Sequence, residues 1–302
     1  MKSIRDDIAR KGILVSDGGW GTFLVAAGLG AGECPELWNV EHPDVVRNIA
    51  KSYADAGADI IMTNSFGGSR ITLEPHGLAR RAPELNEAAA RLSREIAGNT
   101  LHVLASMGPT GKLLMMGDVA EEQLYEAFAE QAIALERGGA DACSVETMAA
   151  LDEAAIAVRA VKENTALEVV ASFTFNMRTD TGYRTMMGVS IADMAAGMLN
   201  EGADILGANC SLGPVEMIEV IRDLRAAAPA VPILVHPNAG MPHRADDGGI
   251  TYPETPQMMA SRVPELIKAG ANIIGGCCGT GPDHIRAIAA AVRDGLHSAG
   301  KS

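Results

Sequence analysis

Short runs of β-branched and other apolar residues alternate along this chain with longer amphipathic, alanine-rich segments, and most runs end in glycine or a polar cluster. Repeated βα units read this way, because a strand buried on both faces appears as a continuous apolar run and its crossover helix as a 3.6-residue period. Eight runs qualify as strands: residues 13–18, 58–65, 102–108, 141–146, 168–175, 203–210, 232–238 and 272–277. Between them the pattern predicts helices, among them 43–56, 121–137, 149–162, 191–200, 214–227 and 282–292. Eight parallel strands close a barrel, so the expected fold is α/β, a (β/α)8 TIM barrel formed as a single domain by residues 1–302.

A short phrase recurs where helices hand over to strands: AGAD at 56–59, GGAD at 138–141, EGAD at 201–204 and AGAN at 269–272. Its glycine suits the left-handed residue that ends a helix, and the recurrence reads as a weak internal repeat of one architecture. The other ends of the strands run into DGGWGT, TNSFGGSR, SMGPTG, VETM, NMRTDTGYRTMMG, NCSLGP, HPNAGMPHR and GGCCGTG. In a (β/α)8 barrel those ends form the active face. The seventh connection, from 239 to about 256, is long and rich in Gly, Asp and Pro, as an insertion or lid would be.

Composition narrows the function. Aromatic residues are 4% of the chain against 47% apolar, so the core must be built from Ala, Val, Ile, Leu and the 15 Met. Acidic residues outnumber basic ones 38 to 25, a formal charge of −13 without a basic run, which excludes a nucleic-acid backbone or an anionic membrane as partner. The N-terminus, MKSIRDDIAR, is charged and helix-like, and no 18-residue apolar run follows, so a cytoplasmic protein is expected.

The five cysteines are Cys34, Cys143, Cys210, Cys277 and Cys278. Their odd number in a large chain argues for free thiols or metal ligands rather than a disulfide framework. Cys34 and Cys143 read as small buried apolar residues. Cys210 ends the sixth strand, while Cys277 and Cys278 end the eighth, and side chains of alternate strands share a layer in a barrel. Three thiolates with an open fourth position would make a catalytic zinc site. The stretch GGCCGTGPDH also fits a phosphate loop opening a helix, or a strained vicinal disulfide. Spacing alone leaves these open. His236 and His243 are further candidate ligands, for which a surface or turn position is the expected role.

Taken in order, DGGWGT, TNSFGGSR, GPTG, VETM, GANCSLGP, PNAGMP and GGCCGT resemble the homocysteine S-methyltransferase family, over nearly the whole chain. The likeness is greatest to the homocysteine-binding module of cobalamin-dependent methionine synthase, with betaine–homocysteine methyltransferase related. The resemblance implies a zinc-dependent (β/α)8 barrel in which Cys210, Cys277 and Cys278 hold Zn2+ and the thiol of homocysteine takes the fourth position. It further implies that Asp17 and Glu146 pair with the substrate's ammonium group. Backbone amides around Ser106 to Gly108 are expected to receive the carboxylate, and Asn209 to orient the site or form a turn.

The donor stays open. No DxHxxG cobalamin signature is present, so methylcobalamin would be supplied in trans on a separate corrinoid protein. A small methylated onium compound is the alternative, with Trp20, Phe23, Trp38 and Tyr53 as candidates for an aromatic cage. Other readings are the same chemistry on another thiol or selenol, a phosphate-binding lyase or isomerase, and a non-catalytic zinc-stabilised component that docks a corrinoid protein.

Overall fold

The computed structural model describes residues 2–244 and 250–299. Eight parallel strands form the central sheet: β1 Leu14–Val15, β2 Ile60–Met62, β3 His102–Met107, β4 Ala142–Met148, β5 Glu168–Phe173, β6 Ile205–Asn209, β7 Ile233–His236 and β8 Ile273–Ile274. Each strand pairs with its sequence neighbours and β1 pairs with β8. A parallel bridge between Ser16 and Ile60 joins β1 to β2, completing the ring of a TIM barrel.

The strands alternate with α1 Pro43–Ala56, α2 Ala82–Ala97, α3 Glu121–Arg137, α4 Leu151–Asn164, α5 Ile191–Asn200, α6 Pro214–Ala227, α7 Pro256–Ala269 and α8 Pro282–Ala299. Expected bounds coincide with the observed ones for α1, α3, α5 and α6. Helix α4 starts two residues later than the pattern suggested, because β4 runs on to Met148 and Ala150 is still extended. Helix α8 continues past residue 292 to Ala299. None of the helices among the described residues is long and apolar enough to cross a membrane.

Successive strand residues face opposite ways, and this sorts the interior into layers. Leu14, Ile60, Leu104, Ala142, Val170, Ile205, Leu234 and Ile273, one from each strand, form an apolar plug inside the barrel. Ile4 and Ile8 of an N-terminal helix, Ile4–Lys11, join that plug and floor the barrel. Two residues further along each strand the layer changes character: Ser16, Met62, Ser106, Ser144, Ser172, Gly207, His236 and Gly275. The outward positions, such as Val103, Val145 and Val235, belong to the main core beneath the helices.

The recurrent phrase is a fourfold latch. Gly57, Gly139, Gly202 and Gly270 all have φ between 88° and 115°. The residue two places on reaches back to the preceding strand: carboxylates of Asp59, Asp141 and Asp204 accept the amides of Val15, Val103 and Val169, and Asn272 accepts that of Ile233. The same strand residues return a carbonyl to the amide of each latch residue, at 2.7–2.9 Å. One side chain thus sets the register of an odd strand against the following even one. Asp141→Ala would leave a buried amide unpaired and free Arg94 from its ion pair. We expect a loss of about 2–3 kcal/mol of stability, measured as a lower urea midpoint at unchanged slope.

Candidate metal centre

The sulfur atoms of Cys210, Cys277 and Cys278 lie within 4.8 Å of one another. Cys278 Sγ is 4.0 Å from both other sulfurs. A tetrahedral ion with sulfur at ~2.3 Å needs sulfur–sulfur separations of about 3.8 Å, so the cluster is nearly pre-formed for a thiophilic metal.

How adjacent residues face one point is visible in the backbone. After Ile274 the chain leaves strand geometry, and a turn closed by Thr280 N–H to Cys277 O at 3.1 Å carries Cys278 and Gly279 at its centre, with Gly279 at φ 81°. A Cβ on Gly276 would meet Thr280 Oγ1 at 2.4 Å, and one on Gly275 would meet Asp17 O at 2.7 Å. Those glycines therefore let the turn press against the first strand end. The Thr280 hydroxyl donates to Cys277 O at 2.6 Å and accepts Gly19 N–H at 3.0 Å. Cys210 reaches the cluster from β6 through a left-handed backbone, φ 62°, shared by Ser211.

This geometry decides between the readings of GGCCGTGPDH. The amides of Gly276, Cys277, Cys278, Gly279, Thr280 and Gly281 all donate to acceptors within the protein, so the turn has none to offer a phosphate. All five cysteines are free, which removes the vicinal disulfide. Cys34 and Cys143 are buried, as small apolar residues would be. Within the cluster Cys278 is held below the ordinary thiol range by hydrogen bonds with Cys210 and then Cys277, while Cys277 is raised by its hydrogen bonds with Cys210 and then Cys278. Without a cation the cluster favours a single thiolate; a divalent ion is what would let all three ionise.

The cluster forms one end of a cavity of about 490 Å³ that opens on the C-terminal face of the barrel. Glu146, Ser106, Thr147, Asn209 and His236 line it beside the cysteines. Asp17 lies just beneath: one oxygen accepts Met62 N–H and Trp20 Nε1–H, while the other is buried without a partner. Burial pushes Asp17 up to about 7 against those two bonds. Burial likewise pushes Glu146 up to about 7, opposed chiefly by the Ser106 hydroxyl that it accepts. Two carboxyls made costly to ionise, one with an open lone pair, are suited to a cationic group.

Several expected details come out differently. Ser106 N–H already donates to Thr63 Oγ1 and Gly108 N–H to Phe66 O, so what Ser106 presents is its hydroxyl and not its amide. His236 is inside the barrel, 3% exposed, and burial lowers it to about 4, so its imidazole is neutral at pH 7. His243 sits exposed on a two-stranded hairpin of the seventh connection. Of the proposed cage, Trp20, Phe23 and Tyr53 do gather, with the Tyr53 ring 6.5 Å from Trp20 and edge-on to Phe23 at 5.8 Å. But Tyr53 is buried with its hydroxyl on Gly19 O and Thr280 O, Trp38 packs on His42, and only Trp20 of the four lines the cavity. Sequence reading passed over Thr147, Thr280 and Glu36. Thr147 and Thr280 sat inside the quoted motifs VETM and GGCCGT, while Glu36, 4% exposed in the cavity wall, has no pattern that marks it.

Comparison with known proteins places this geometry. The sequence profile of the family described as "Homocysteine S-methyltransferase" matches residues 14–292. Methionine synthase of Mycobacterium tuberculosis is 34% identical over 304 residues, covering 95% of this chain and 25% of that protein. The Mycobacterium leprae methionine synthase is 35% identical, covering 93% and 24%. The chain thus spans about a quarter of the length of these relatives. The crystal structure of the homocysteine methyltransferase MmuM from Escherichia coli in its oxidized form superposes with a TM-score of 0.78 at 25% identity, covering 96% of this chain and 99% of that one. Its metallated form gives 0.77 over 95% and 99%.

The two raised carboxyls make a pH prediction for the metal-free, substrate-free protein. Folded Asp17 and Glu146 hold protons up to about pH 7, whereas unfolded ones release them near 3.8 and 4.5. The folded state therefore binds more protons in between, and stability falls as pH rises through that window. Asp17→Asn keeps an oxygen for Met62 and Trp20 and removes the charge. It should raise stability by on the order of 2 kcal/mol at pH 8, and the gain should vanish by pH 4 in denaturant titrations.

Proposed function

As a member of the homocysteine S-methyltransferase family, this chain, we propose, moves a methyl group onto the thiol of homocysteine to give methionine, with Zn2+ held by Cys210, Cys277 and Cys278. The observation that carries this reading is one cavity lined by three convergent thiols and the buried Glu146 carboxyl, with the Asp17 carboxyl bonded to its wall residues Trp20 and Met62. A free alkyl thiol, with a pKa of ~8.5, is mostly protonated at neutral pH, and zinc bound here would supply the charge that stabilises its thiolate.

The chain's own residues seat and orient the acceptor. Asp17 and Glu146 pair with the α-ammonium group, which returns both carboxyls to their charged form; Ser106 steadies Glu146 through its hydroxyl. Neutral His236 adds no competing positive charge. The cavity lining contains neither Lys nor Arg, which speaks against a phosphorylated substrate and so against a lyase or isomerase of that type. The five free cysteines accord with a reducing, cytoplasmic setting.

For the donor we favour methylcobalamin carried by a separate corrinoid protein. Large apolar side chains stand exposed on the connections around the mouth: Met115 and Met116 after β3, Met186 and Met187 after β5, Met241 and Ile250 after β7. Flexible methionines at a rim suit docking of a protein surface. A small onium donor is the second reading, supported by Trp20, Phe66 and the buried Glu36 carboxylate in the cavity lining, Glu36 forming no ion pair among the described residues.

The test is a parallel assay of methionine formation from homocysteine with methylcobalamin, betaine and S-methylmethionine, together with elemental analysis. About one zinc per chain is expected, with most of it lost on replacing any one of the three cysteines by serine. Zinc content indifferent to all three changes would overturn the metal assignment. Glu146→Gln should raise the KM for homocysteine tenfold or more with zinc retained.

A further inference from the structure

Among the described residues only three besides glycine have positive φ, and all three are at this site: Thr147 at 58°, Cys210 at 62° and Ser211 at 62°. For β-branched Thr147 that is an outlier, a conformation that persists only where its surroundings impose it. The local cause is a register shift. Val145 pairs with Ala171 and Met148 with Phe173, so Glu146 and Thr147 together stand opposite the single residue Ser172. The extra residue is a β-bulge, a device that re-aims side chains beside active sites. Its effect is to turn two consecutive residues, Glu146 and Thr147, toward the cavity, while Met148 returns to the outer core with Val145.

One side chain bonds to both strands at this bulge, to Thr147 on β4 and to Ser172 on β5. Asn209, at the end of β6 and 2% exposed, accepts Thr147 N–H at 2.9 Å through Oδ1 and donates to Thr147 Oγ1 at 2.7 Å through Nδ2. The same Oδ1 accepts the hydroxyl of Ser172 at 2.7 Å, the residue opposite the bulge. Asn209 is also bonded in sequence to Cys210, whose own amide is fixed on His236 O at 3.0 Å. Its amide side chain is the group these contacts demand, since it must accept twice and donate once within a few ångströms.

We infer that Asn209 is a positioning residue that clamps the β4 bulge and so sets the distance between the Glu146 carboxyl and the sulfur of Cys210. The clamp rests on the reading of Glu146 as an acceptor-binding group. It joins the two halves of the acceptor's seat through one side chain: the end that holds the ammonium group and the end that holds the sulfur. Its role is separate from holding metal, because no atom of the Asn209 side chain is directed at a cysteine sulfur in the hydrogen-bond network described above.

The test compares Asn209→Ala, Thr147→Val, Glu146→Gln and the double variant Asn209→Ala/Thr147→Gly, reading KM for homocysteine, kcat, zinc stoichiometry and thermal midpoint. Asn209→Ala should raise KM about tenfold through loss of the clamp, with kcat falling less and zinc remaining near one per chain. Thr147→Val, which removes one contact from the far side without altering the neighbour of Cys210, should move KM the same way by a smaller factor. Glycine adopts φ near 58° without strain, so the double variant should recover most of the rise in KM seen for Asn209→Ala. A merely structural role would lower the thermal midpoint and leave KM alone, and glycine at 147 would then rescue nothing; either result overturns the clamp. Loss of zinc in Asn209→Ala in step with activity would overturn it too. If Glu146→Gln leaves KM unchanged, the reading of Glu146 itself fails; if Glu146→Gln raises KM and both clamp variants do not, only the clamp fails.

Discussion

Three sulfur atoms within 4.8 Å of one another, two of them on adjacent residues, cannot be presented by unbroken strands, whose neighbouring side chains face opposite ways. The structure meets this constraint by ending strands early and bending the chain. Strand β8 stops at Ile274, three glycines surround the turn that follows, and Thr280 ties the turn to Gly19. Strand β6 stops at Asn209, after which Cys210 and Ser211 take a left-handed backbone. Packing of the first strand end against the eighth, burial of Tyr53 beneath both, and the shape of the cavity mouth all follow from these two departures.

The architecture was readable from sequence because its signals are local. Strand runs, helix periods and the glycine of AGAD each depend on a few consecutive residues, and helices α1, α3, α5 and α6 fell where the pattern placed them. The overrun of β4 was not readable, since a bulge leaves no compositional trace: VETM looks like any strand end, and only pairing with β5 shows that it carries one residue too many. The cysteines were legible as a set because thiols are rare and the strand ends to which they belong converge in a barrel. Aromatic residues carried no such information. Tyr53 and Trp38 were proposed for a cage, yet one supports the strand ends from below and the other packs on His42, because bulky rings serve packing wherever a core is short of them.

Inside the barrel the chemistry changes over two residues of strand. The plug of Leu14, Ile60, Leu104 and their equivalents is wholly apolar, and the layer above it is mostly Ser, Gly and His. Ser16, Ser144 and His236 leave buried polar atoms without partners in that layer, as does Asp17 just above it. Rigidity and polarity are thereby assigned to opposite ends. The latches of Asp59, Asp141, Asp204 and Asn272 fix strand pairing at the end away from the cysteine cluster, which lets the other end hold strained residues and carboxyls that would weaken a smaller fold.

The N-terminal helix gives the floor of the barrel a further meaning. Ile4 and Ile8 complete the apolar plug, and Glu168 receives both the Ser3 hydroxyl and the Ile4 amide, so the lower end is shut. A vessel closed below has a single doorway. On the function proposed above, the acceptor's seat lies at Glu146 and the cysteines, with Asp17 behind the wall residues Gly18, Trp20 and Met62, and a methyl donor would stand between that seat and the exit. On that reading traffic is a queue with its order reversed on the way out: what enters first and goes deepest would leave last, and the product would depart only after the demethylated donor had stepped aside.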